Sequence, residues 1–134
     1  MTEPQSDKPL AIKLALRDGQ ICWFDGMPEH FIDEIDEYAL ELSFVADLTE
    51  IRLGGLDAAH IFVSDAADLE GKLTELRIKL AKDGQVWVSW RVDASLDHAT
   101  VQTLGMAAGL ISTKTLDLDA DWSAVKLVIP KADR

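Results

Sequence analysis

Cysteine is nearly absent from the 134 residues: Cys22 stands alone, so no internal disulfide can form and an oxidising compartment is not implied. Long apolar runs are missing too, and no window approaches the roughly 18 consecutive apolar residues that span a bilayer. The start, Met1-Thr-Glu-Pro-Gln-Ser-Asp-Lys8, is polar and has no apolar stretch of the signal-peptide kind. These absences point to the cytoplasm. Positive charge is scarce: 13 Lys and Arg stand against 24 Asp and Glu, a net charge of −11. Phosphate backbones are bound by neutralising them with Lys and Arg, and no run of those residues occurs, which argues against nucleic acid as a partner. Anionic membrane surfaces are disfavoured for the same reason. The usual catalytic signatures are missing as well, among them the nucleophile elbow, the P-loop, His-Glu-x-x-His and Cys-x-x-Cys. One cysteine and three histidines do not build a structural zinc site, so no metal is expected.

What is present is an ordinary globular balance, 48% apolar and 28% charged, at the length of one domain. Residues 1–8 read as a disordered lead-in and 9–134 as a single domain. Pro9 suits the first turn of a short helix with Leu10 and Leu14 on one face, closed by Asp18-Gly19. Gln20 to Phe24 is the first strand. From Glu29 to about Glu41, Phe31, Ile32, Ile35, Tyr38, Ala39 and Leu42 recur at helical spacing, and acidic residues fill the other side. Leu42–Ala46 and Ala59–Val63 are the next strands. Ser64 or Asp65 caps a helix whose Leu69, Leu73, Leu76 and Leu80 form one stripe, ended by Asp83-Gly84. Gln85–Trp90 is apolar at nearly every position, as a central strand covered on both faces would be. Ser95 or Asp97 caps a helix to about Ala108, with Val101, Leu104 and Ala108 facing inward and Gly109 at its end. Ile111–Leu118 and Trp122–Ile129 form an antiparallel hairpin.

Strands alternating with helices predict an α/β fold, a three-layer αβα Rossmann-like sandwich. Its mainly parallel sheet has about six strands and closes with a C-terminal antiparallel hairpin.

Two stretches carry a resemblance. Leu80-Ala-Lys-Asp-Gly84 running into Gln85-Val-Trp-Val-Ser-Trp90, and Ala107-Ala-Gly-Leu110 before a hairpin, resemble late units of class I methyltransferases. The whole chain resembles more closely a family of small bacterial proteins of unknown function whose fold is a pared-down methyltransferase. The matching features are Leu10-Ala-Ile-Lys-Leu14 before Gly19, Asp83 to Trp90, Ala108-Gly-Leu110 and Trp122-Ser-Ala-Val-Lys126. Membership implies no activity. Where relatives have a Pro-Lys-Lys-Ser-like loop after the tryptophan, this chain has Arg91-Val-Asp-Ala-Ser95.

If the methyltransferase resemblance extends to function, Gly26, Asp47 and Trp90 would hold the cofactor. The turn after the first strand, Phe24-Asp-Gly-Met-Pro28, offers one glycine where a cofactor loop offers several. Asp47 stands where a Rossmann enzyme places its ribose-binding acid. Trp90, Arg91, His98 and Trp122 lie where strands end, and they could line a pocket in which Arg91 holds an anion; aromatic capping of the sheet is the plainer reading. His30 and Glu34, four apart, offer a metal two ligands and no third. His60 reads as a hydrogen-bonded core histidine and Cys22 as a small hydrophobe. Ser123-Ala-Val-Lys126 has the spacing of a penicillin-binding motif, which needs a helix, and here it falls on a strand. The sequence therefore favours a non-enzymatic binding or interaction module without a cofactor, meeting a protein or small molecule. A small-molecule transferase using S-adenosylmethionine, and a structural homodimer through the edge of the second or fifth strand, are the alternatives.

Overall fold

The computed structural model describes residues 9–134; the expected lead-in at 1–8 lies outside the described residues. Helix α1 (Leu10–Lys13) starts after Pro9. It stops earlier than Asp18-Gly19: Leu16 N–H bonds to the Ala11 carbonyl and Ala15 N–H to that of Ile12, a left-handed C-terminal turn built on Ala15 at φ 57°. That ending frees the Leu14 carbonyl. The Gln85 amide (2.6 Å) and the Trp87 indole N–H (2.9 Å), both from the central strand, donate to it. An orphan carbonyl at a helix end thereby gains two partners in the core.

Strand β1 (Ile21–Asp25), α2 (Glu29–Glu37) and β2 (Ser43–Phe44) follow. Helix α2 is shorter than its apolar spacing suggests. Ala39 turns left-handed at φ 58° and ends it; Ile32 and Tyr38 are exposed and only Phe31 and Ile35 of the stripe are buried. Its last turn carries Asp36 and Glu37 and no cation, which opposes the helix dipole and favours termination. A 3₁₀ turn at Leu48–Glu50 leads into β3 (Leu56–Phe62). Asp65 caps α3 (Ala66–Lys79), accepting from Asp68 N–H at 2.9 Å, and Leu69, Leu73 and Leu76 are fully buried. The helix ends at Lys79 instead of Asp83-Gly84. Leu80 already belongs to β4 (Leu80–Arg91) and pairs with Leu56; the chain then bulges and regains register at Ala58 with Gln85. Helix α4 (His98–Ala107) and the hairpin β5 (Ile111–Asp117) and β6 (Trp122–Val128) complete the fold.

The sheet order is β2-β1-β3-β4-β6-β5, with β6 antiparallel to its neighbours and every other pairing parallel. One core packs α3 and α4 on one face, through Leu69, Leu73, Leu76 and Val101 against Val86, Val88 and Trp90. The second packs α1 and α2 on the other, through Leu10, Leu14, Phe31 and Ile35 against Phe62 and Trp87. The fold is thus a three-layer Rossmann-like α/β sandwich with a mainly parallel six-stranded sheet and a closing hairpin. Its edges are β2 and β5. Among the described residues no helix is long and apolar enough to cross a membrane.

Two backbone positions give opposite expectations. A Cβ at Gly84 would stand 2.7 Å from Leu80 Cδ1 and 2.9 Å from the Leu56 carbonyl oxygen, so Gly84→Ala should cost about 1–3 kcal/mol as overpacking does. Ala15→Gly relieves a left-handed alanine and should raise stability by up to about 1 kcal/mol. Urea unfolding midpoints measure both.

Candidate functional site: the strand-end crevice

Strand order reverses after β2, so a topological switch point lies between β1 and β3, and α/β sheets bind ligands outside the carboxyl ends of strands there. Gly26 follows β1 at φ 73°, a left-handed conformation that L side chains rarely adopt. Across from it Phe62 ends β3. Arg91 ends β4 and stands in register with Trp122, which opens β6. Asp119 shapes the turn before Trp122, its Oδ1 accepting from the N–H groups of Asp121 (2.8 Å) and Trp122 (3.1 Å). These elements enclose a crevice of about 250 Å³, whose lining includes Gly26, Phe62, Arg91, Asp93 and Trp122.

The crevice is aromatic with one cation. The Phe62 ring meets Trp122 edge-on at 5.1 Å, and the Arg91 guanidinium carbon lies 5.5 Å from the Trp122 ring centroid. Arg91 Nε donates to Asp93 Oδ1 at 3.3 Å, which leaves the two terminal nitrogens of its fork for another acceptor. Outside the lining, His30 of α2 faces Asp119 at 3.5 Å, and Lys72 of α3 pairs with Asp25 and Asp68. Burial would lower the Lys72 ammonium, but its bonds to the two carboxylates prevail and hold it above its ordinary range.

The structure brings together three of the residues singled out in the sequence, Gly26, Arg91 and Trp122. Trp90 and His98 lie elsewhere. Trp90 is buried in the α3/α4 core, where the His98 ring meets it edge-on at 5.0 Å. Asp47 is not in the crevice lining. It caps the 3₁₀ turn, accepting from Thr49 N–H at 3.0 Å, and that bond holds its carboxyl below the usual range. Phe62 and Asp93 line the crevice without having been singled out. The place of Phe62 depends on which strand pairs with which, and the sequence does not display that.

Below Phe62 lies a polar pair inside the core. The His60 ring stacks on Phe62 at 4.6 Å and 16°, and His60 Nε2 is 2.6 Å from Ser89 Oγ. Its Nδ1 has no partner among the described residues. Burial pushes the imidazole down to about 3, so it is neutral near pH 7. Burial, and then Asp57, pushes the Cys22 thiol up to about 12, which removes it as a nucleophile.

A family model described as protein of unknown function (DUF3052) matches residues 20–131. Among curated proteins there is no match. Solved structures with a similar fold include a TehB-like S-adenosylmethionine-dependent methyltransferase from Corynebacterium glutamicum, at 11% identity and TM-score 0.55, covering 88% of this chain and 84% of that one. Another is the 1,6-didemethyltoxoflavin-N1-methyltransferase of Burkholderia thailandensis, with bound 1,6-didemethyltoxoflavin and S-adenosylhomocysteine, at 11% identity and TM-score 0.60, covering 88% and 73%. A third is magnesium protoporphyrin IX methyltransferase from Synechocystis with bound S-adenosylmethionine, at 11% identity and TM-score 0.55, covering 84% and 71%. At these identities the likeness establishes the fold alone.

His60 gives the site a pH signature. Its folded-state affinity for a proton is depressed, so unfolding takes up a proton wherever the free imidazole is charged. The stabilising effect is complete above pH 6.5 and is lost toward pH 3, at about 1.4 kcal/mol per pH unit. Asp47 and Asp97, also depressed, lose their contributions only as pH falls below about the ordinary 3.8. Melting temperatures between pH 6.5 and 4.5 should therefore fall in the parent, with a flatter slope in His60→Phe.

Proposed function

The chain belongs to the DUF3052 family of unknown function, and from that premise we propose that it is a non-enzymatic binding module whose strand-end crevice takes a small planar anion. The observation that carries this reading is the Arg91 guanidinium beside the Trp122 ring at the mouth of the switch-point crevice. A flat ring stacks on Trp122, and a carboxylate on that ring meets the open end of the Arg91 fork. Gly26 leaves the crevice wall without a side chain, and Phe62 gives it an apolar floor. Among the described residues the carboxylate in the crevice lining is that of Asp93, already bonded to Arg91, and His60 is sealed beneath Phe62. The cytoplasm is the compartment this reading assumes.

A second reading, methyl transfer from S-adenosylmethionine, draws support from the fold of its structural neighbours, two of which hold that cofactor or its product. In this chain it would rest on Gly26, Asp47 and Trp90, of which only Gly26 lines the crevice.

Indole-3-carboxylate is a suitable probe. Titrated into the full chain and followed by nitrogen–proton correlation spectra, it should move the Trp122 indole and Gly26 amide signals together. Arg91→Ala should weaken binding about tenfold or more, and Arg91→Lys should recover only part of it, because lysine lacks the planar fork. Unmoved signals at Gly26 and Trp122, with shifts at Trp90 or Asp47 instead, would contradict the assignment.

A further inference from the structure

In a chain with 24 acidic and 13 basic residues, three cations gather at one place. Lys114 on β5 and Lys126 on β6 are directly opposite one another in the antiparallel register and project from the same face of the sheet. Like charges at such a pair repel. Lys126 also neighbours Trp87 across β4, and the Trp87 indole is bonded to the Leu14 carbonyl. The turn after α1 is therefore pinned beside Lys126, and Arg17 lies in that turn. Among the described residues none of the three has a carboxylate within 4 Å, the ion pairs being those of His30, Lys72 and Arg91. Arg17 also borders a polar hollow containing Asp18, Asp57 and Asp83, yet none of these forms an ion pair with it.

The three cations are 12 residues or more apart in sequence and meet only in the fold. They stand on the α1/α2 face where helix cover runs out: Lys126 is half-buried and Lys114 exposed. Burial first, and then Lys114 and Arg17, hold the Lys126 ammonium below its ordinary range. Such an arrangement costs stability when empty and regains it when an anion with two or more charges binds among the ammonium groups and the guanidinium.

We propose that Arg17, Lys114 and Lys126 form a binding site for a phosphate-bearing anion, separate from the strand-end crevice. Lys126 lies four residues along β6 from Trp122, about 13 Å at the rise of a strand, so the two places are distinct. The ligand chemistry is that of a di- or polyphosphate, which presents several oxyanions to a group of three cations. A free pyrophosphate and the diphosphate of a nucleotide share that chemistry.

The test is a titration of the full chain with pyrophosphate at low salt, read by correlation spectra and calorimetry. Shifts should cluster at Arg17, Lys114 and Lys126, while the Trp122 indole and Gly26 amide stay in place. The double variant Lys114→Gln with Lys126→Gln should bind at least tenfold more weakly. Lys114→Gln alone, which removes one exposed side chain, should melt no lower than the parent and lose part of the affinity. A nucleoside diphosphate run in parallel separates the two sources: equal affinity identifies the bare phosphate, and tighter binding identifies the nucleotide. Affinity unchanged in both variants, shifts spread over every cation of the chain, or shifts confined to the crevice would overturn the proposal.

Discussion

The carbonyl oxygen of Leu14 accepts from both Gln85 and Trp87, and much of the α1/α2 side of the molecule depends on that one acceptor. Helix α1 is four residues long, too short to be stable by itself. The two donors fasten its end to the central strand and satisfy polar groups that would otherwise be buried unpaired. Leu10, Ala11, Leu14 and Leu16 can then cover Trp87 and join the core that includes Phe62. The same bond sets the turn containing Arg17 beside β6. A helix terminus, a strand and two surface features are thus coupled through a single peptide oxygen.

The crevice follows from topology more than from any single residue. The chain runs from β1 outward to β2 and back past β1 to β3, which parts the loops above β1 and β3 and leaves room at their carboxyl ends. The floor of that room is closely packed. Phe62 lies between the Trp122 ring above and the His60 ring below, and His60 is held by Ser89. A polar pair in an apolar core is costly unless its groups are satisfied, and one imidazole nitrogen here is not. The pair orients the floor of the crevice at some expense in stability.

Much of this was legible in the sequence, for identifiable reasons. Helix α3 and the β5–β6 hairpin follow from leucine spacing and from the short Asp119-Ala-Asp121 turn. The strand order was not legible, and with it the contact of Phe62 with Trp122. The ends of α1 and α2 were missed because alanines, Ala15 and Ala39, occupy left-handed positions where glycine is the usual signal. Gly84 reads in the sequence as a helix stop; in the fold it lets β4 bulge against Leu56 and Leu80. The separation of Trp90 from Arg91 could have been anticipated, since adjacent residues on a strand face opposite sides. The meeting of Arg17, Lys114 and Lys126 could not, because it joins three distant segments.

The fold is similar to that of enzymes that use S-adenosylmethionine, and the residues at its switch point are one glycine in the β1 turn, an acid after β2 that serves as a cap, and an arginine–tryptophan pair at the crevice. A fold does not fix a function, and the proposed binding role rests on the site instead. Equilibrium dialysis of the full chain against radiolabelled S-adenosylmethionine tests this most directly. The expected result is no saturable binding up to millimolar cofactor. Saturable micromolar binding that is lost in Asp47→Ala would contradict the account and return the chain to the methyltransferases.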